Sequence, residues 1–279
     1  MQKTKAKLPV LIIAVTVIAS CFLRFFQLLR YTDEKTGLVT MRQNLSYAVY
    51  ALAAVLLIMC IIYGIKADKG CKAILTDGAG KEIFNASAAA GAVLFLEFLN
   101  QSYGCYSYIE DAKMIEYEYF LPIAASGVFA LISCVYFAAL CIAARGVNLD
   151  LSKLVWLQFS PAVWAFLRLI SITARFIDIK SGVETSCELF FLVAFVFLWF
   201  GFVLSAEGKK RGNDILFTVA CVFSFCMAVI IFVPRLFYAV FNFAGFFNGT
   251  GLTSVCYITI GAFSLTLLTN RNENFVSGK

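Results

Sequence analysis

The chain contains no histidine, which removes the side chain that most often acts as general base near neutral pH and the commonest protein ligand for transition metals. Charge is scarce as well. Asp, Glu, Lys and Arg make up 14% of its 279 residues, against about 25% in a soluble domain. Ten cysteines are present, but none stands in a C-x-x-C pair and most lie inside apolar runs, where a free thiol behaves as a small hydrophobe. A disulfide framework would need cysteine pairs in the loops, so neither disulfides nor a zinc site is expected. The carboxylates form no H-x-x-E or D-x-x-D pattern, and no aspartate lies centrally in any apolar run as intramembrane aspartyl proteolysis would require. The chain is therefore expected not to be an enzyme and to carry no cofactor and no metal. Asp77-Gly-Ala-Gly-Lys81 imitates a phosphate loop but lacks the spacing and the preceding strand that such a loop needs.

What is present is apolar surface. Hydrophobic residues make up 61% of the chain and the mean hydropathy is +0.85, far outside the range of soluble domains. They are gathered in runs of about 20 residues, the length of helix that crosses a hydrocarbon core about 30 Å thick. The runs are apolar on both parities, whereas barrel strands alternate. The fold class read from this is an all-α polytopic integral membrane protein, with helices over about 8–29, 45–65, 83–106, 119–143, 154–176, 183–205, 215–236 and 251–268. The N-terminal MQKTKAK followed by LPVLIIAVTVIASC imitates a lipoprotein signal. Its apolar run continues through Leu29, however, so it is expected to remain as the first helix. Fourteen Leu, Val, Ile and Phe residues in that run, at about −0.3 to −0.6 kcal/mol each, outweigh the roughly +3 kcal/mol of Arg24.

One pattern occurs twice. FLRFFQLLRYTDEKTG at 22–37 and FLRLISITARFIDIKSG at 166–182 share Phe-Leu-Arg and then Arg-aromatic-x-Asp-x-Lys-Ser/Thr-Gly. A shift of 144 residues also brings Leu45 onto Leu189 and Lys66 onto Lys210, and a shift of 134 brings SGVFAL in the fourth run onto IGAFSL in the eighth. The expectation is a parallel internal repeat of four plus four helices, 1–146 and 147–279, related by an axis along the membrane normal. Arg24 would then superpose on Arg168 and Asp33 on Asp178, and the two arginines would approach each other.

Fourteen Lys and Arg fall on the N-terminal side of the membrane and seven on the other (Arg30, Lys35, Arg42, Lys113, Arg175, Lys180, Arg235). By the positive-inside rule both termini are expected in the cytoplasm, with the protein in the plasma membrane. The net charge of +6 is accounted for in this way without a nucleic-acid partner; the expected partner is the lipid bilayer.

The candidate site residues are the charged and amide side chains at membrane depth. Arg24, Gln27 and Tyr31 fall at i, i+3 and i+7, as do Arg168, Ser171 and Arg175; Glu97, Asn100 and Gln101 share one helix face, and Glu184 and Glu188 another. Two accounts are open. Ionisable groups in lipid usually face a bundle interior or a wet cavity, which makes Arg24, Gln27, Glu97, Asn100, Gln101, Arg168, Arg175 and Glu188 a binding site for a small anionic solute or a lipid headgroup, since a guanidinium grips such groups in bidentate fashion. Alternatively the arginines snorkel to the interface or form structural ion pairs, such as Arg168 with Glu188. Permease-like transport, a membrane sensor and a non-transporting accessory or scaffold subunit are the corresponding functions. Pro161 and Pro234 either open the backbone at a site or kink their helices. The uncharged segment Leu236 to Gly251, rich in Phe and Tyr, reads as an aromatic belt or as a re-entrant piece. The Pro161-x-x-Trp164-x-x-x-Arg168-Leu-Ile run, Glu188-Leu-Phe-Phe and Pro234-Arg235-Leu236 resemble uncharacterised multi-spanning membrane proteins of anaerobic Gram-positive bacteria. That resemblance implies a bacterial inner membrane and carries no activity.

Overall fold

The computed structural model describes residues 7–31, 43–67, 81–111, 117–145, 155–176, 182–206, 212–241 and 251–276. They form eight helices and, among the described residues, no strand: α1 Lys7–Tyr31, α2 Gln43–Ala67, α3 Lys81–Asp111, α4 Tyr117–Ala144, α5 Val155–Phe176, α6 Gly182–Ala206, α7 Gly212–Phe241 and α8 Gly251–Val276. All eight are long and apolar enough to cross a membrane, and hydrocarbon permits this form because a helix satisfies its backbone polar groups internally. The protein is an all-helical, multi-pass integral membrane protein.

Six helices close a ring. α3 packs on α4, α4 on α5, α5 on α6, α6 on α7, α7 on α8, and α8 returns to α3. α1 and α2 stand outside it as a hairpin against α7, with α2 just touching α6. Successive spans run in opposite directions, so the bundle has a distal end where the odd-numbered helices finish and the even-numbered ones begin. α6, α7 and α8 are the most enclosed helices, and α1 and α2 the least.

Lipid gives helices no hydrophobic reason to associate, so close packing and small residues have to hold them together. A Cβ on Gly261 of α8 would stand 2.8 Å from Ala228 Cβ and 3.3 Å from Phe225 Cα on α7, and one on Gly201 of α6 would stand 3.1 Å from Phe217 Cβ. Those glycines let the backbones approach. The ring is not a pore, because side chains from alternate helices meet across it. Trp199 of α6 packs its ring centroid 5.8 Å from Tyr136 and 5.7 Å from Phe137 of α4, and 6.2 Å from Phe263 of α8. Phe137 and Phe263 meet edge to face at 5.0 Å. Aromatic pairs of this kind contribute about 0.5–1.5 kcal/mol each beyond area burial. The Trp199 Nε1–H donates to the Gln158 carbonyl of α5 at 2.5 Å, fixing the indole in the plug.

The packing does not display the expected four-plus-four repeat. α6 and α7 lie against each other, whereas no comparable contact joins α2 to α3, and α1 packs on α2 and α7 rather than on α5. Asp33 and Asp178, which the repeat would superpose, lie outside the described residues. One expectation needs correcting, the end of the seventh run near residue 236. α7 does not stop there but continues to Phe241, so Leu236 to Phe241 belong to a spanning helix; the remainder of the expected aromatic segment, up to residue 250, lies outside the described residues.

Candidate functional site

Polar side chains from five helices of the ring converge in its distal half. On α3, Glu97 is 0% exposed, and its Oε1 accepts a hydrogen bond from Gln101 Nε2 one turn on, at 2.7 Å. Gln101 is oriented for this by α4: its Oε1 would lie 3.5 Å from a Cβ on Gly127, so the amide rests where that residue has no side chain. Arg168 of α5 brings Nη1 to 3.9 Å from the same Glu97 oxygen. Thr253 of α8 donates to the other oxygen at 3.5 Å. Both contacts are longer than a well-formed hydrogen bond, so the Glu97–Arg168 pair is loose. The Tyr257 hydroxyl of α8 lies within hydrogen-bonding reach of the Arg168 guanidinium, Glu188 acts on it electrostatically, and the buried Ser171 lies a turn beyond the partly exposed Arg168 on α5.

A second pair is tighter in its connections. Arg235 of α7, 5% exposed, places Nη2 at 3.7 Å from Glu188 Oε1 of α6 and donates through Nη1 to the Ser254 hydroxyl of α8. One guanidinium therefore ties three helices. Among the described side chains the cluster balances, with Arg168 and Arg235 against Glu97 and Glu188.

Arg24 is elsewhere. It is 2% exposed, and its Nη1 donates to Gln27 Oε1 at 3.1 Å within α1. The stripe Thr16, Ser20, Arg24 and Gln27 is the buried face of α1, while the apolar side chains Leu11, Val15, Phe22 and Phe26 point outward. The hydroxyls of this stripe close on their own helix, Thr16 to the Ile12 carbonyl and Ser20 to that of Thr16, both at 2.8 Å. Both guanidinium groups are turned toward protein partners: Arg24 is buried against its own amide partner, and Arg168 is directed at Glu97 about 12 Å along the helix from the end of α5.

Of the residues singled out from sequence, Glu97, Gln101, Arg168 and Glu188 are brought together. Arg24 and Gln27 sit on the outer hairpin, so the expected approach of Arg24 to Arg168 does not occur. Asn100 is half-buried and makes no hydrogen bond to the cluster. Arg175 belongs to α5 and Glu184 to α6, but their side chains lie outside the described residues. The expected Arg168–Glu188 ion pair is replaced by Arg168–Glu97 and Arg235–Glu188. Sequence reasoning missed Arg235, Thr253, Ser254 and Tyr257. The first was counted among the outside cations at the end of the seventh run; the other three are neutral, although their spacing places Thr253 and Tyr257 on one helix face.

Unused hydrogen-bonding capacity occurs at several buried positions, Arg24 Nε and Gln101 Oε1 among them, and three such atoms lie at the loose pair. Arg168 Nε, Ser171 Oγ and Tyr257 OH are buried without a well-formed hydrogen bond, a state that costs about 1–3 kcal/mol per group when nothing offsets it. Apolar grooves flank the outer hairpin: one of about 480 Å³ between α1 and α7, lined by Cys21, Phe25 and Pro234 among others, and one of about 540 Å³ between α2, α6 and α7. Both are lined by apolar side chains and hold none of the charged cluster. No family model, curated protein or solved structure matches the chain at a significant level.

Proposed function

We propose that the chain is a permease-like membrane carrier, not an enzyme, which takes a small solute through an anionic group held by Arg168 in the distal half of the six-helix ring. The observation that supports this reading is the under-satisfied Arg168, with Ser171 and Tyr257 beside it, enclosed by helices and stoppered on the proximal side by the Trp199 aromatic plug. A purely structural ion pair would be expected to use its hydrogen-bonding capacity, as Arg235 does between Glu188 and Ser254. The protein would act in a bacterial plasma membrane with both termini in the cytoplasm. The burial of Arg235 removes one cation from the seven expected outside, which sharpens the charge asymmetry to fourteen against six.

A second reading, an accessory or scaffold subunit, draws support from the hairpin of α1 and α2 held outside the ring with apolar grooves on either side. Ser171 separates the two. In membrane vesicles, Ser171→Cys in a variant with its native cysteines replaced should react with an impermeant thiol reagent from one side, and acetate or phosphate should slow the reaction. A cysteine unreachable from either side, with Arg168→Gln altering stability alone, would favour the scaffold.

A further inference from the structure

Building on the permease reading of the Arg168 site, we infer that its solute is a zwitterion of short charge separation, of the α-amino acid or betaine class, with Arg168 reading the anionic group and Glu97 the cationic one. The unfilled capacity around the pair includes a donor on one side and acceptors on the other, with hydroxyls that can act as either. On the α5 and α8 side, Arg168 Nε, the Ser171 hydroxyl and the proton of the Tyr257 hydroxyl, whose oxygen lies against the Arg168 guanidinium, are buried donors left to be filled. On the α3 side, the fully buried Glu97 carboxylate has one short hydrogen bond, from Gln101, and beyond it the long contacts from Arg168 and Thr253. A carboxylate can accept about four hydrogen bonds, so Glu97 keeps room for an ammonium. Gln101 holds Glu97 through its amide nitrogen while its own carbonyl, turned toward Gly127, is a second buried acceptor without a partner; for Glu97 it is a positioning residue.

Charge balance points the same way. The described cluster is neutral, and adding a bare anion to a buried neutral cluster leaves one charge uncompensated at low dielectric, a costly state. A zwitterion adds none. The separation of the pair sets the size. With 3.9 Å between Nη1 and Oε1, the Glu97–Arg168 dipole is short, and a ligand dipole lies antiparallel beside it when its own charges are comparably close. A long ω-amino acid would reach one partner and overshoot the other.

The test is a thermal-shift and calorimetric titration of the purified full-length chain in detergent. The probes are glycine, leucine, glycine betaine, ε-aminocaproate, acetate and methylammonium at matched ionic strength. The expected result is binding of at least one short zwitterion about tenfold or more tighter than acetate, methylammonium or ε-aminocaproate. Glu97→Gln should erase that advantage, and Tyr257→Phe, which removes a single donor, should weaken the zwitterion by about fivefold. Should Glu97→Gln fail to fold, the Tyr257→Phe comparison and the ligand-length series still decide. Acetate binding as tightly as the short zwitterions, and lost in Arg168→Gln, would overturn the zwitterion while leaving the permease reading in place. No effect of any probe overturns the inference, and if Ser171→Cys is also unreachable from both sides the permease reading falls with it.

Discussion

Arg235 follows directly on Pro234, and in water such a proline, lacking its amide hydrogen, would mark the end of an apolar helix. In this bundle α7 continues past it by two turns, because neighbouring helices can absorb the freed carbonyl at membrane depth. The arginine is thereby carried inward, to Glu188 and Ser254. Removing one member strands the other, and breaking a buried pair costs about 3–5 kcal/mol, whereas replacing both with apolar residues is often neutral. Arg235→Gln and Glu188→Gln should therefore each lower the unfolding temperature in detergent markedly, and Arg235→Met combined with Glu188→Leu should recover most of the loss. Additive losses in the double variant would mean that the two side chains are not coupled. The same residue explains part of what sequence left illegible. Glu97, Gln101, Arg168 and Glu188 were readable as charges and amides inside apolar runs, but their partners were not, since helical spacing relates residues on one helix and says nothing about which helix lies opposite.

All eight helices were legible, because each holds an apolar run long enough to span despite its few charges and amides, although α3, α7 and α8 continue past the C-terminal ends expected of them. Their neighbours were not. The repeated Phe-Leu-Arg segments suggested equivalent places for α1 and α5, yet α1 lies outside the ring with its polar stripe turned inward, and α5 is part of the wall. In lipid the order of packing is settled by small residues and shape complementarity, signals spread thinly through any alanine- and glycine-containing run. Gly261 is a direct case: its closeness to Ala228 and Phe225 holds α7 against α8, and with them Arg235 against Ser254. Gly261→Val should force the two backbones apart and destabilise the protein by about 1–3 kcal/mol, and Gly104→Ala, where a Cβ would meet nothing within 4 Å, should be neutral in the same unfolding assay. Equal effects at the two positions would remove close packing as the reason for the α7–α8 contact.

At the scale of the whole molecule the two ends differ in charge. Arg145, stacked 4.4 Å from the Phe84 ring, marks the proximal end, and the half-buried Cys105 on α3 lies toward the distal one. In right-side-out vesicles an impermeant thiol reagent should label a single cysteine at 105 and spare one at 71, a position outside the described residues. Labelling at 71 with none at 105 would invert the topology. Between the two ends stands the aromatic plug, which equips the protein with its own optical reporter. Its three tryptophans are unequally placed: Trp156 is 93% exposed, while Trp164 and Trp199 are 0% exposed and ring-packed. In a Trp156→Phe variant the emission comes from indoles enclosed by Phe, Tyr and Trp rings, and should lie toward the blue. If the proposed carrier parts Trp199 from Phe137 and Phe263 when it takes up solute, that indole meets a wetter surrounding and its emission should move to the red, readable in unlabelled protein on the millisecond timescale of a stopped-flow mixer; an emission unchanged by solute would mean that the plug stays closed.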